Sequence, residues 1–176
     1  LNQPVTGANK AIATSHNDKI RLFTVERNKS LEKLDEFTGE WLECLPHNVA
    51  DFSAAAYFFG EMIYESLNVP VGLICSSWGG TRIEPWMSEN GFKNFDWVNL
   101  PDKKSTEDFS QQTPTVLFNA MIAPMIGYAI RGGLWYQGEA NSNQPQEYEK
   151  LMLGIIENRR DEWGIGDFPF YYVQIA

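Results

Sequence analysis

The chain has 176 residues, of which 43% are hydrophobic and 14% aromatic. This is long enough for one domain with a sizeable core and too short for two comfortable domains, so we predict a single domain over residues 1–176. Its 23 acidic residues outnumber its 14 basic residues and give a formal net charge of -9, which argues against nucleic acid or an anionic membrane surface as a partner. No apolar run reaches the roughly 18 residues of a membrane span.

Cysteine and histidine are too sparse to suggest a metal site or a disulfide framework. Cys44 and Cys75 could form one bridge, but two free, half-buried thiols are the interpretation that we favour. His16 and His47 are isolated, and neither a CxxC nor an HxxxH spacing occurs. We therefore predict no metal.

The first half of the chain contains two strand candidates and one amphipathic helix. Lys19–Glu26 alternates and is rich in β-branched residues, and Glu40–Leu45 is a weaker candidate. We expect both at a sheet edge or in an accessory hairpin. From Asp51 to Leu67 apolar residues recur at helical spacing, with Asp51 or Ser53 available as the N-cap.

The middle of the chain combines a buried strand with a long irregular stretch. Val71–Cys75 is a continuous apolar run, which is typical of a parallel strand covered on both faces. Residues 87–113 lose all periodicity and predict a surface excursion. Leu117–Ile130 predicts a helix that Pro124 ends or kinks.

The last part of the chain predicts strand, helix and strand. The strands are Gly132–Tyr136 and the buried run Phe168–Ile175, and the helix runs from Tyr148 to about Trp163. This alternation predicts right-handed βαβ crossovers and an α/β sandwich. A doubly wound sheet normally continues beyond a strand such as the last, so we expect an incomplete sheet in this chain.

Two predicted parallel strands end in small and polar residues. Val71–Cys75 runs into SSWGGT, and Gly132–Tyr136 runs into QGEAN, residues 137–141. The carboxyl ends of parallel strands lie at one edge of a sheet and form its ligand site. Glycine lets backbone N–H groups approach a ligand, and the carboxamides of Gln137 and Asn141 add neutral donors. Such donors are typical of an oxyanion hole, which stabilises the negative oxygen formed when a carbonyl is attacked.

Simpler interpretations exist for each of these residues alone. Gly79 and Gly80 could form a tight turn, Gln137 and Asn141 could be capping or loop residues, and Glu139 could be solvated. The absence of GxGxxG and GxxxxGK[ST] spacings excludes the usual nucleotide sites. The coincidence of the two clusters at neighbouring strand ends favours a functional site.

Two long segments resemble one known family. PVGLICSSWGGTRIEPW, from Pro70 to Trp86, and LFNAMIAPMIGYAIRGGLWYQGEAN, from Leu117 to Asn141, are similar to the sialate O-acetylesterases of the SGNH hydrolase superfamily. KIRLFTV and FSAAAYFFG are similar to the same family. The resemblance implies a flavodoxin-like three-layer α/β/α sandwich with a mainly parallel sheet. It also implies hydrolysis of O-acetylated sugars by a serine nucleophile, without a cofactor.

The resemblance also implies site residues. Gly80, with Gly79 as its competitor, matches the glycine whose N–H enters the oxyanion hole, and Asn141, with Gln137 as its competitor, matches the side-chain amide donor. The remaining positions are assigned from their place in the motifs: Arg82 and Glu139 as orienting residues, and Trp78, Thr81 and Trp86 as the lining of the sugar pocket.

Some parts of the family pattern have no match. The nucleophile segment Gly-Gln-Ser-Asn lies before the KIRLFTV strand in this family, and the catalytic histidine and aspartate lie beyond a strand such as FPFYYVQIA. His16 and His47 match no family motif. We therefore expect an internal fragment of a longer esterase, with little activity alone and a secreted, periplasmic or lysosomal parent. A non-catalytic carbohydrate-binding or interaction module, with tryptophans stacking on sugars, is the alternative.

Overall fold

The chain divides into two units, each formed from two stretches of sequence. The computed structural model describes residues 5–104 and 108–175. One unit combines Leu1–Glu26 with Thr38–Ser77, and the other combines Arg27–Phe37 with Trp78–Ala176. Within the described ranges, no helix is both long and apolar enough to cross a bilayer.

The first unit contains a three-stranded sheet with the order β2-β1-β3. The strands are β1 (Asn17–Thr24), β2 (Trp41–Cys44) and β3 (Val71–Cys75). β1 is antiparallel to β2 and parallel to β3. The prediction of an edge position is wrong for the first strand, because β1 forms ladders on both sides and buries Ile20 and Leu22 almost completely.

Three helices accompany this sheet: α1 (Ala8–Ala13), α2 (Pro46–Asp51) and α3 (Ala54–Leu67). The six-residue α1 and α2 were not predicted, because such short helices carry too few turns to show periodicity. Of the two candidate N-caps of α3, Ser53 is the one used, and its hydroxyl accepts the N–H of Ala56 at 3.3 Å.

The core of the first unit combines residues of the sheet with residues of α1, α2 and α3. Gly60 brings α3 close to β3, since an added Cβ there would lie 2.6 Å from a methyl carbon of Leu73. Both thiols are free, as predicted, with Cys44 buried and Cys75 partly exposed. The buried residues of this core are Ala8, Ile20, Leu22, Cys44, Val49, Phe52, Tyr57 and Leu73.

The second unit contains a two-stranded parallel sheet and one long helix. β4 (Gly133–Trp135) pairs with β5 (Phe170–Tyr172), and α4 spans Pro145–Trp163 between them. The strand–helix–strand order is confirmed. The prediction of a buried last strand is wrong, since Tyr171 and Tyr172 are 57% and 58% exposed. Within the described residues this sheet has two strands.

The predicted helix over Leu117–Ile130 is wrong in its length and type. The chain forms a π-helical turn over Phe118–Ile122 and a 3₁₀ turn over Ala123–Met125. Pro124 lies in the second turn, where its ring and its missing N–H prevent continuation as an α-helix. The π-helical turn is nevertheless fully buried and forms part of the core of this unit.

Within its described part, the stretch over residues 87–113 is irregular, as predicted, except for a short 3₁₀ helix over Glu89–Phe92. It is anchored more firmly than a surface excursion would be, because Met87 and Phe92 are buried. The carboxamide of Asn158 on α4 accepts the N–H of Ser88 at 2.9 Å and donates to the Ser88 hydroxyl at 2.7 Å. Residues 105–107 of this stretch lie outside the described residues.

Candidate functional site

The turn formed by Trp78 to Thr81 exposes two glycines. Gly80 has a φ of +79°, a left-handed conformation that favours glycine, and an added Cβ at Gly79 or Gly80 would meet no heavy atom within 4 Å. The Gln112 carboxamide stabilises the turn by donating a hydrogen bond to the Gly80 carbonyl at 2.8 Å. In the part of the chain that the structure describes, neither glycine N–H has a hydrogen-bond acceptor.

The side chains around this turn are tied to one another. The Thr81 hydroxyl donates to the Trp78 carbonyl at 2.7 Å and accepts the indole N–H of Trp86 at 2.9 Å. Thr81 and Trp86 are buried, whereas Trp78 is half-buried with the guanidinium of Arg27 5.8 Å from its ring centroid. A role of these three side chains in lining a sugar pocket stays a prediction.

The segment after β4 turns sharply at Gly138 into a 3₁₀ turn over Glu139–Asn141. The Asn141 N–H donates to the Gly138 carbonyl at 2.9 Å, which closes this turn and directs Asn141 inward. Asn141 is 1% exposed, whereas Glu139 faces solvent. Among the residues that the structure describes, the Glu139 carboxylate has no hydrogen-bond partner, and its orienting role stays a prediction.

Tyr148 on α4 holds the end of β4. Its hydroxyl donates to the Gln137 carbonyl at 2.6 Å and accepts the indole N–H of Trp135 at 3.2 Å. Burial raises the pKa of Tyr148, so its hydroxyl remains a proton donor over the neutral range. The backbone of Gln137 is therefore fixed independently of its side chain.

Hydrogen bonds join the turn segment directly to the segment after β4. The Gln137 carboxamide nitrogen donates to the Thr81 carbonyl at 2.9 Å and to the Asn141 Oδ1 at 3.0 Å. The same Oδ1 accepts the backbone N–H of Ile83 at 3.0 Å. The structure thus brings the predicted residues Thr81, Gln137 and Asn141 into one network, next in sequence to Gly80.

Glu84 is part of this network and was not predicted from the sequence. Its carboxylate is almost buried and accepts the Asn141 Nδ2–H at 3.0 Å. Arg82 lies 2.8 Å from the other oxygen of Glu84 and also donates to the side chain of Gln144. The predicted orienting residue Arg82 therefore acts on Glu84. A signal existed in the sequence, since Glu84 is one carboxylate among the apolar residues Ile83, Pro85, Trp86 and Met87.

The two carboxamides differ in how many of their N–H hydrogens remain free to bind a ligand. Both hydrogens of the Gln137 nitrogen are donated within the network, and its Oε1 is buried without a partner among the described residues. Asn141 donates one Nδ2 hydrogen to Glu84 and retains the second. The hydrogen count thus favours Asn141 as the free donor, whereas accessibility favours the half-buried Gln137.

Comparison with known proteins relates the chain to carbohydrate esterases. The family described as "Carbohydrate esterase, sialic acid-specific acetylesterase" matches residues 6–176. Sialate O-acetylesterases from Pongo abelii and Homo sapiens are each 31% identical to the chain over 182 residues, which is 93% of this chain. The crystal structure of a carbohydrate acetylesterase from Xanthomonas citri superposes with a TM-score of 0.84 and 32% identity over 97% of the chain.

The matched region is a limited part of each relative. The chain spans 34% of the length of the Pongo abelii and Homo sapiens proteins. It spans 37% of the Xanthomonas citri chain. The α/β fold class and the resemblance to an SGNH-like carbohydrate acetylesterase are confirmed by these matches.

Proposed function

Because the chain belongs to the carbohydrate esterase family of sialic acid-specific acetylesterases, we propose that it forms the oxyanion-stabilising part of a longer serine esterase. That esterase hydrolyses O-acetyl esters on carbohydrates, and residues 1–176 belong to its single SGNH-hydrolase-like domain. The expected compartment is secreted, periplasmic or lysosomal, as the family resemblance implies.

The proposed chemistry is acyl transfer through a covalent intermediate. A serine attacks the acetyl carbonyl, and negative charge develops on the carbonyl oxygen in the transition state. The N–H of Gly80 or Gly79 and one side-chain amide stabilise that oxygen. Preorganised donors of this kind are effective because they need no rearrangement while the charge develops.

One observation carries this proposal: the hydrogen bonds from Gln137 to Thr81 and from Ile83 to Asn141. They hold two carboxamides against the segment that begins with the exposed Gly79 and Gly80. Glycine N–H groups without acceptors, beside fixed carboxamides, are what a developing oxyanion requires. The left-handed φ of +79° accounts by itself for a glycine at position 80, so the proposal rests on the exposed N–H groups and the fixed carboxamides.

The same residues and the family support a class of substrate. The carboxamides are neutral and the overall charge is -9, so a polyanion is a poor substrate and an O-acetylated sugar is a suitable one. The half-buried indole of Trp78, next to the glycines, offers a surface on which a sugar ring stacks. Either a sialic acid ester or an acetylated plant polysaccharide fits this description, and turnover of each substrate distinguishes between them.

The test compares the longer protein, the 176-residue chain and single variants of the longer protein. The substrates are 4-nitrophenyl acetate, an O-acetylated sialic acid and acetylated xylan. We expect turnover by the longer protein and turnover near background by the chain alone. Removing the true amide donor, in Gln137→Ala or Asn141→Ala, lowers kcat by roughly 100- to 1000-fold. Asn143→Ala, at an exposed position two residues away, is the matched control.

Each outcome decides between the alternatives. Brisk turnover by the chain alone would overturn the assignment of nucleophile and base to other parts of the protein. Binding of an acetylated sugar by the longer protein without any hydrolysis would favour the non-catalytic carbohydrate-binding module. Equal and small effects of Gln137→Ala, Asn141→Ala and Asn143→Ala would remove both carboxamides from the oxyanion hole.

A further inference from the structure

We propose that Glu84 is the positioning residue of the site, fixing the orientation of both carboxamides through Asn141. This inference rests on the proposed function for its catalytic consequence, but its structural part does not. It starts from the chemistry of the two groups that touch Asn141. An ionised carboxylate can only accept hydrogen bonds, and a backbone N–H can only donate them.

These two partners determine which way the Asn141 side chain faces. The Glu84 Oε2 lies 3.0 Å from Asn141 Nδ2, and the Ile83 N–H donates to Oδ1 at 3.0 Å. Rotating the amide by 180° would set an oxygen against the carboxylate and a nitrogen against an N–H, so both hydrogen bonds would be lost. Asn141 therefore has one favourable orientation, and Glu84 supplies the stronger, charge-assisted half of it.

The orientation of Asn141 in turn determines that of Gln137. Asn141 Oδ1 and the Thr81 carbonyl are both acceptors, and they lie 3.0 Å and 2.9 Å from the Gln137 nitrogen. The Gln137 nitrogen must point at them, although this leaves its Oε1 buried and unpartnered among the described residues. A flipped Gln137 would set its oxygen against two other oxygens, so the orphaned Oε1 is the less costly state.

Arg82 supplies the ion-pair partner of the buried Glu84 carboxylate. The Arg82 Nη2 is 2.8 Å from Glu84 Oε1, and the Arg82 Nε is 3.1 Å from the same oxygen. The guanidinium side chain is about one-third exposed, so it also links the buried carboxylate to the surface. Arg82, Glu84, Asn141 and Gln137 thus form an ordered chain of hydrogen bonds that ends at the proposed donors.

The first test uses the 176-residue chain and needs no enzymatic activity. NMR of the side-chain amides of Asn141 and Gln137 is compared in the wild type, Glu84→Gln and Glu89→Gln. Glu89 is the matched control, because it is a carboxylate of the same unit that pairs with Lys103 at the surface. We expect hydrogen exchange of the Asn141 amide to accelerate at least about tenfold in Glu84→Gln, with shifted Gln137 amide resonances, and no change in Glu89→Gln.

The second test measures kinetics of the longer protein with 4-nitrophenyl acetate. Misplacing an oxyanion donor costs rate, so Glu84→Ala lowers kcat by roughly 10- to 100-fold with KM within about twofold. Glu84→Gln keeps only a neutral acceptor for Asn141, which binds more weakly than the carboxylate, so it recovers part of that loss and not all of it. In an Asn141→Ala background, Glu84→Ala costs less than about twofold more, because its target is already absent.

The outcomes separate this inference from the proposed function. An inactive wild-type longer protein contradicts the proposed function, and the NMR comparison then decides the role of Glu84 alone. Unchanged Asn141 and Gln137 amides in Glu84→Gln overturn the inference whatever the kinetics show. A Glu84→Ala effect of equal size with and without Asn141, or one confined to KM, also overturns it, and Glu84→Gln serves where Glu84→Ala does not fold.

Discussion

Replacing Asn141 by aspartate should lower the unfolding free energy of the protein by an amount that depends on pH. Asn141→Asp keeps the size and shape of the side chain and exchanges Nδ2 for an oxygen. That oxygen then lies where the nitrogen was, 3.0 Å from Glu84 Oε2. The donor of a charge-assisted hydrogen bond becomes a second negative charge.

The magnitude follows from this distance and from proton uptake. Two unit charges 3.0 Å apart repel by about 5.5 kcal/mol at an effective dielectric constant of about 20. The pair can avoid most of this by binding one proton. Proton binding costs about 1.4 kcal/mol for each pH unit above the unfolded-state pKa of about 4, or about 4 kcal/mol at pH 7. We therefore expect Asn141→Asp to lose about 4 kcal/mol of unfolding free energy at pH 7.

The sign of the pH dependence is fixed by the same argument. The neighbouring charge raises the pKa of the carboxyl pair in the folded variant, so the native state binds more protons than the unfolded state. The free energy of unfolding of Asn141→Asp therefore falls as pH rises above about 4. Below that pH the protonated aspartic acid can again donate to Glu84, and most of the difference from the wild type disappears.

The assay is urea unfolding of wild type, Asn141→Asp and Asn143→Asp between pH 4 and pH 8. Asn143→Asp makes the same chemical change at an exposed position and should stay within about 0.5 kcal/mol of the wild type. An Asn141→Asp variant as stable as Asn143→Asp at pH 7 would refute the reasoning. So would a loss that does not change between pH 4 and pH 7, since that would exclude repulsion as its cause.

Three further predictions concern the first unit. Gly60→Ala should lower the unfolding free energy by about 1 kcal/mol, because overpacking against Leu73, 2.6 Å from the new Cβ, outweighs the better helix propensity of alanine. In a Leu73→Ala background the same change should raise the unfolding free energy by about 1 kcal/mol. Urea unfolding measures both changes, and an effect of the same sign in both backgrounds would contradict this contact. Iodoacetamide at pH 8 should label Cys75 and leave Cys44 unmodified, because burial and the nearby Glu61 raise the pKa of the Cys44 thiol to about 11. Peptide mass mapping should then find Cys44 modified only in urea. Because the folded state disfavours the Cys44 thiolate, that thiol should also reduce the unfolding free energy as pH rises from about 9 towards 11, and equal labelling of both thiols at pH 8 would contradict its burial.

Local sequence signals were sufficient to predict elements whose conformation depends mainly on their own residues. The run Val71–Cys75 was predicted with the bounds that β3 has, because a short unbroken apolar stretch between turn residues is typical of a strand. The prediction that both faces of this strand are covered is wrong, since only Leu73 of its five residues is buried and Gly72 is exposed. Ser53 was one of two candidate caps, and the other, Asp51, ends α2 instead. A helix of six residues is too short to separate these cases from the sequence.

Features that depend on partners far along the chain were not predictable in the same way. The central position of β1 depends on pairing with both β2 and β3, which the alternation of Lys19–Glu26 does not encode. The role of Glu84 depends on Asn141, 57 residues away. The candidate site was predicted from glycines and carboxamides next to strand ends. Glu84, which accepts a hydrogen bond from Asn141 and begins the short 3₁₀ helix Glu84–Trp86, was missed because a single glutamate normally faces water.

The β4–β5 pair has a consequence for anyone who handles this chain in solution. Parallel strands are usually covered on both faces, yet Leu134, Tyr171 and Tyr172 are 44%, 57% and 58% exposed. Within residues 5–104 and 108–175, β4 and β5 each form a ladder on one side only, and such an edge offers a template on which a second molecule can add its own strand. The protein should therefore aggregate at high concentration and scatter light. It should stay monomeric in dilute solution at low ionic strength, where the net charge of -9 makes the molecules repel one another.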